Sequence, residues 1–181
     1  MTFIKKLTAS SSATLSFVDG ASDVVLDSTY KEYMFIFNNM HPGTDNEGLT
    51  FNMSVDSGSN YNVTKTTTLF RAYNNEADTE TALEYQTGQD IAQGTGFQNL
   101  LRYIGNDNDQ SGSGYLHLFN PSSTTFVKHF IAVGNTYYGA DYTMNDYIAG
   151  YGNTTSAVDA IQFKMTSGNI DAGTISLYGI N

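Results

Sequence analysis

The sequence predicts an all-β chain: an antiparallel β-sandwich, jelly-roll-like, of about ten short strands. Three observations carry that expectation. Apolar and polar residues alternate one by one through many short runs. Gly, Asn, Asp, Ser and Pro punctuate those runs as turn residues do. Helical periodicity is nearly absent, with Ala77 to Tyr85 the one short stretch that offers it.

The elements follow in order. Phe3 to Leu7 and Ala13 to Val18 are the first strand-like runs. Tyr33-Met-Phe-Ile-Phe37 is apolar at every position, which predicts a central strand covered on both faces. In the next run Leu49, Phe51, Met53 and Val55 share one face, and Thr50, Asn52 and Ser54 the other. That is a half-buried strand of fixed register, because a one-residue slip would bury the polar set. Thr66 to Tyr73, Phe97 to Ile104, Tyr115 to Phe119, Phe126 to Val133, Met144 to Tyr151, Ile161 to Met165 and Thr174 to Ile180 complete the set. Lys128 and His129 take opposite faces of the run that holds them. Asp19-Gly20, Pro42-Gly43, Ser57-Gly58, Ser111-Gly112 and Ser167-Gly168-Asn169 fall between runs as turns. Residues 74–95, Asn-rich and acidic, read as a long loop, a kind of segment that often carries function. No linker or repeat divides the chain, so residues 1–181 are expected to form one sandwich domain, with residues 1–12 offering a docking arm.

Composition narrows the partners. Lys and Arg number 8 against 18 Asp and Glu, a formal net charge of -10. The basic residues are scattered, with Lys5-Lys6 the one adjacent pair. Phosphate backbones need clustered cations, so no nucleic-acid partner is expected. No apolar run approaches the roughly 20 residues of a membrane span, so no membrane partner is expected either. The polar stretch Leu7-Thr8-Ala9-Ser10 after Lys5-Lys6 does not read as the apolar segment of a signal peptide. Cysteine is absent, which removes disulfides, thiolate-held metals and thiol nucleophiles.

Chemistry-bearing residues are sparse. His41, His117 and His129 have no metal-ligand spacing, so structural roles are expected. No Gly-x-Ser-x-Gly elbow occurs. The acids of Asp45-Asn46-Glu47 and Glu76-Ala77-Asp78-Thr79-Glu80 lie in polar runs that read as solvated loops rather than as a glycosidase pair. Neither an enzyme nor a cofactor is expected. Asp107, Asp109 and Ser111, followed by Gly112, match the first half of a calcium loop. Leu118 stands where the closing carboxylate belongs, and a turn between strands explains the same residues. Tyr137, Tyr138, Tyr142, Tyr147 and Tyr151 crowd a Gly- and Asn-rich stretch. Such rigid amphipathic rings suit a protein interface or a glycan contact, and ordinary strand packing accounts for them equally.

Three segments resemble a known group. They are Asp27-Ser-Thr-Tyr-Lys-Glu-Tyr-Met-Phe-Ile-Phe-Asn-Asn-Met-His-Pro42, Leu118-Phe-Asn-Pro-Ser-Ser-Thr-Thr-Phe-Val-Lys-His-Phe-Ile131, and Ile161 to Ile180 with its closing Gly173-Thr-Ile-Ser-Leu-Tyr-Gly179. They look like small structural proteins of marine tailed bacteriophages, such as those that infect cyanobacteria. The resemblance extends from about residue 25 to the end. It implies a jelly-roll-like sandwich on the virion surface, without catalysis. It also implies a homo-oligomer, a trimer above all, that contacts the major capsid protein or other virion proteins as a decoration or cement protein. A receptor-binding fibre or tail domain that holds host glycans is the alternative.

Overall fold

The computed structural model describes residues 1–181, and every element in it is a strand. The strands are β1 (Thr2–Thr8), β2 (Leu15–Val18), β3 (Glu32–Pro42), β4 (Glu47–Ser54), β5 (Lys65–Asn75) and β6 (Thr81–Tyr85). Then come β7 (Gln98–Ile104), β8 (Gly112–Phe119), β9 (Lys128–Tyr138), β10 (Tyr142–Gly152), β11 (Ala160–Met165) and β12 (Ile170–Ile180). All pairings are antiparallel.

Two sheets emerge from the pairing. The order β1-β12-β3-β8-β9-β10-β5-β6 makes an eight-stranded sheet, and β2-β11-β4-β7 a four-stranded one. One residue pair, Ile104 with Tyr138, joins them. With β8, β9 and β10 counted as one strand, β2-β11-β4-β7 facing β3-(β8–β10)-β5-β6 is the strand order of a jelly roll. β1 and β12 extend the β3 edge.

The expected fold class is therefore the observed one, with twelve strands in place of about ten and with β3, β5, β9, β10 and β12 reaching 11 residues each. Ala77 to Tyr85 is not helical. Its second half is strand β6, because Leu83 and Tyr85 alternate against Ala72 and Phe70 of β5. Residues 74–95 are accordingly a hairpin followed by a loop.

Aromatic rings hold the sheets together. Phe17, Phe51 and Phe163 of the small sheet meet Phe35, Phe37 and Phe130 of the large one, and all six are buried. Phe17–Phe35 and Phe51–Phe130 approach edge-on at centroid distances of 5.3 and 4.9 Å. Gly134 of β9 makes room for this packing: a Cβ there would lie 2.1 Å from Leu101 Cδ2 of β7.

Two expectations about faces give way. Tyr33, Phe35 and Phe37 are buried, but Met34 and Ile36 between them are half-exposed, so β3 is covered on one face only. In β4 the polar set is buried as well as the apolar one. Asn52 Nδ2 donates to Tyr61 O at 2.6 Å and to Thr95 O at 2.9 Å, so the connections beside β4 close over it. Those backbone carbonyls replace the water that a half-buried strand would keep.

Charges are also taken inside. Arg102 of β7 and Asp146 of β10 are almost fully buried and form a two-point ion pair, Nη2 to Oδ1 at 2.7 Å and Nε to Oδ2 at 3.0 Å. Burial pushes the Asp146 carboxyl above the ordinary carboxylate range, and the Arg102 guanidinium opposes that push. Lys65 is fully buried, with Nζ donating to Asn52 Oδ1 at 2.5 Å and Val63 O at 2.9 Å. Burial pushes its ammonium from 10.5 down to about 8.

Two tests follow from these buried charges. Asp146→Ala leaves Arg102 uncompensated and is expected to cost about 3–5 kcal/mol by urea unfolding. The double change Arg102→Met with Asp146→Leu should recover most of that loss. For Lys65 the folded state binds fewer protons than the unfolded state between about pH 8 and 10.5. Its destabilising contribution is thus full below pH 8 and fades as pH rises through that window. Urea midpoints of Lys65→Met should lack the part of the rise between pH 8 and 10 that the native chain owes to this group.

Candidate functional site

The expected ligands stay apart. His41 Nδ1 lies 2.8 Å from Gln110 O, His117 pairs with Glu32, and His129 is exposed beside Tyr151. No group of three or more His, Asp or Glu side chains converges as a metal site would. Asp107 and Asp109 are exposed in the β7–β8 connection. Gln110 turns inward there, with its N donating to Asp107 O at 2.9 Å and its Oε1 accepting from Asp107 N at 3.3 Å. The amide of Gln110 thereby occupies the centre of the turn in which Asp107, Asp109 and Ser111 stand.

The five tyrosines separate into two groups. Tyr137, Tyr147 and Tyr151 point away from the small sheet, at the odd positions of β9 and β10. Tyr138 and Tyr142 face inward, at the end of the large sheet where β9 turns into β10. The structure gives each group different neighbours.

The outward group belongs to a band that crosses the sheet. Cross-strand pairing links Ile36 to Tyr115, Tyr115 to Val133, Val133 to Tyr147, Tyr147 to Phe70, and Phe70 to Tyr85. That single rung runs from β3 to β6 without a charged residue. A second rung two residues away links Phe3, Tyr178, Met34, His117, Ile131 and Ala149. Phe70 and Tyr147 stack with rings 5° from parallel and centroids 4.9 Å apart. Several members stand open to water: Phe3 is 57% exposed, Tyr85 49% and Ile131 48%. Neither row contains a carboxylate; Glu32 stands two residues beyond the second row and pairs with its His117. Single exposed apolar residues are ordinary, whereas contiguous apolar bands are less common on monomeric proteins.

The inward group stands where the small sheet ends. Tyr73 of β5, Tyr142, Tyr138 and Tyr103 of β7 follow one another with centroids 5.8, 5.6 and 5.5 Å apart. Arg71 lies over Tyr73 at 4.8 Å and binds Glu84 through Nε and Nη2 at 2.8 and 2.7 Å. Tyr142 OH donates to Glu80 Oε2 at 2.5 Å, which raises the phenol above its ordinary range. Tyr137, on the other face, donates to Glu76 and Asp141 and is pushed up to about 12. Tyr103 has φ 54, a left-handed conformation that is unusual for a bulky residue and that aims its ring at Tyr138.

Sequence reasoning missed Tyr73, Tyr103, Phe70, Tyr85 and Tyr115. The apolar residues of both parities in Tyr115-Leu-His-Leu-Phe119 carried part of the signal, since Leu116 and Leu118 are buried and Tyr115 is exposed.

No family model and no curated protein matches the chain. Among solved structures, a marine PL-14 alginate lyase from Aplysia kurodai is similar at 10% identity and a TM-score of 0.29, over 97% of this chain and 82% of that one.

The strain at Tyr103 is testable. Asn tolerates the left-handed region, so Tyr103→Asn should leave stability within about 1 kcal/mol of native by urea unfolding. A larger loss would show that the ring is held for packing.

Proposed function

We propose that this chain is a structural protein of a tailed bacteriophage particle, a decoration or cement protein that works by protein–protein contact. The observation that carries the reading is the uncharged rung Ile36–Tyr115–Val133–Tyr147–Phe70–Tyr85 across the outer face. The size of the whole face that carries this rung supports the reading. Eight strands about 4.8 Å apart make a face roughly 34 Å wide. At about 25 Å tall it offers on the order of 800 Å², which is what each partner contributes to a standard interface. Charge supports it too. Copies carrying a net charge of -10 repel one another, and this face brings almost no carboxylate to a contact.

The resemblance of Asp27–Pro42, Leu118–Ile131 and Ile161–Ile180 to marine phage structural proteins supplies the particle. In this reading the chain forms a homotrimer, and the assembly sits against the major capsid protein or its neighbours on the virion surface. Closed symmetric assembly buries the apolar band on every copy.

Light scattering after size exclusion tests the assembly. The native chain should elute as a trimer at micromolar concentration, and Ile131→Glu with Tyr147→Glu should elute as a folded monomer. A native monomer, or a variant of unchanged mass, would contradict the reading. Mass spectrometry of purified particles tests the location, with the chain expected among the virion proteins.

A further inference from the structure

We propose that the tyrosine row at the open end of the sandwich binds a neutral oligosaccharide. The row lies on the inward face of β5, β9 and β10, so it is separate from the outer band that carries the assembly reading. Nothing in this inference depends on that reading.

A pyranose ring offers two things to a protein: a flat face of C–H groups, and hydroxyls around its edge. It is held by an aromatic plane and by fixed hydrogen-bonding groups at the plane's rim. The row supplies both. Tyr73, Tyr142, Tyr138 and Tyr103 are all partly open to water. Beside them is a recess of about 240 Å³, with Arg71 and Met144 among its lining residues and Ala140 in the exposed β9–β10 turn. The hydrogen bond from Tyr142 to Glu80 fixes a ring and a carboxylate together, and the carboxylate has a second oxygen for a sugar hydroxyl. A row of four rings suits several sugar units rather than one.

The charge of the recess selects a neutral ligand. Arg71 is the cation nearest the rings, and Glu84 takes its Nε and Nη2 while its third nitrogen faces Met144 Sδ at 3.7 Å. Glu80 adds a negative charge at the rim, and the chain as a whole carries -10. A uronate or sialylated chain would meet repulsion with no free guanidinium to offset it. The left-handed backbone at Tyr103 is a further sign that ring placement, rather than local comfort, set this corner.

Saturation-transfer NMR on the native protein tests the proposal. The probes are cellotetraose, chitotetraose and mannotetraose, with tetragalacturonate as the anionic control. Transfer from tyrosine protons to at least one neutral tetrasaccharide is expected, and none to tetragalacturonate. Tyr138→Ala should weaken the affinity about tenfold or more. Ala140→Trp, which fills the recess from an exposed turn, should do the same without disturbing the fold, and it decides the matter if Tyr138→Ala unfolds. Phe126→Ala, in the exposed connection before the far end of β9, should leave binding unchanged. Absence of transfer to all neutral probes at millimolar concentration would overturn the proposal. So would binding that survives Ala140→Trp, or a preference for tetragalacturonate.

Discussion

The two sheets of this protein are unequal, and much of the molecule is a response to that inequality. Eight strands face four. The aromatic core between them covers the inner face of the large sheet only where the small one reaches, through Phe17, Phe51 and Phe163. Beyond that reach the inner face must end in groups that tolerate water. It does so first in the buried Arg102–Asp146 pair and then in tyrosines, which carry an apolar body and a polar tip. On the other side nothing covers the large sheet at all. Its outer face nonetheless carries one rung that is apolar across six consecutive strands. A sheet with one wet face normally alternates apolar-in with polar-out, and here the outward positions of that rung break the rule.

Charge follows the same division. The acids gather in connections such as residues 45–47 and 76–80 and stay off the outer band. Three of the 8 basic residues, Lys65, Arg102 and Lys128, are buried and spent on interior acceptors. The cations left at the surface are therefore fewer than composition suggests. Loops that repel polyanions and a sheet face that carries almost no charge are compatible properties. The first opposes approach by like-charged chains, and the second leaves one face where that opposition is weak.

Much of the architecture was legible in the sequence, because strand alternation and turn chemistry are local. Leu49 to Val55 and Met144 to Tyr151 read as strands, although β4 ends at Ser54 and leaves Val55 exposed, and Gly20, Gly58 and Gly168 take the positive φ that their turns require. The single helical expectation failed because Ala77 to Tyr85 is short. Pairing of Leu83 with Ala72 outweighs a weak periodicity there. The outer band was not legible, since it exists only once six strands are in register and register is a long-range property. The same holds for the tyrosine row. Tyr138 and Tyr142 were visible as neighbours in sequence, but Tyr73 and Tyr103 join them only through the β5–β10 and β7–β9 pairings. The buried polar face of β4 was hidden for a related reason, since one of the two loops that close over Asn52 reaches it through Thr95, 43 residues along the chain.

The proposed role requires the outer face of the large sheet to be a surface for other protein chains. Hydroxyl-radical footprinting across a dilution series reads that face directly, residue by residue. Tyr115, Tyr147, Phe70 and Tyr85 should lose reactivity together as concentration rises, while Tyr61, far from the band, keeps its own. Equal reactivity of the band at every concentration, with the chain assembled at the high end, would contradict it.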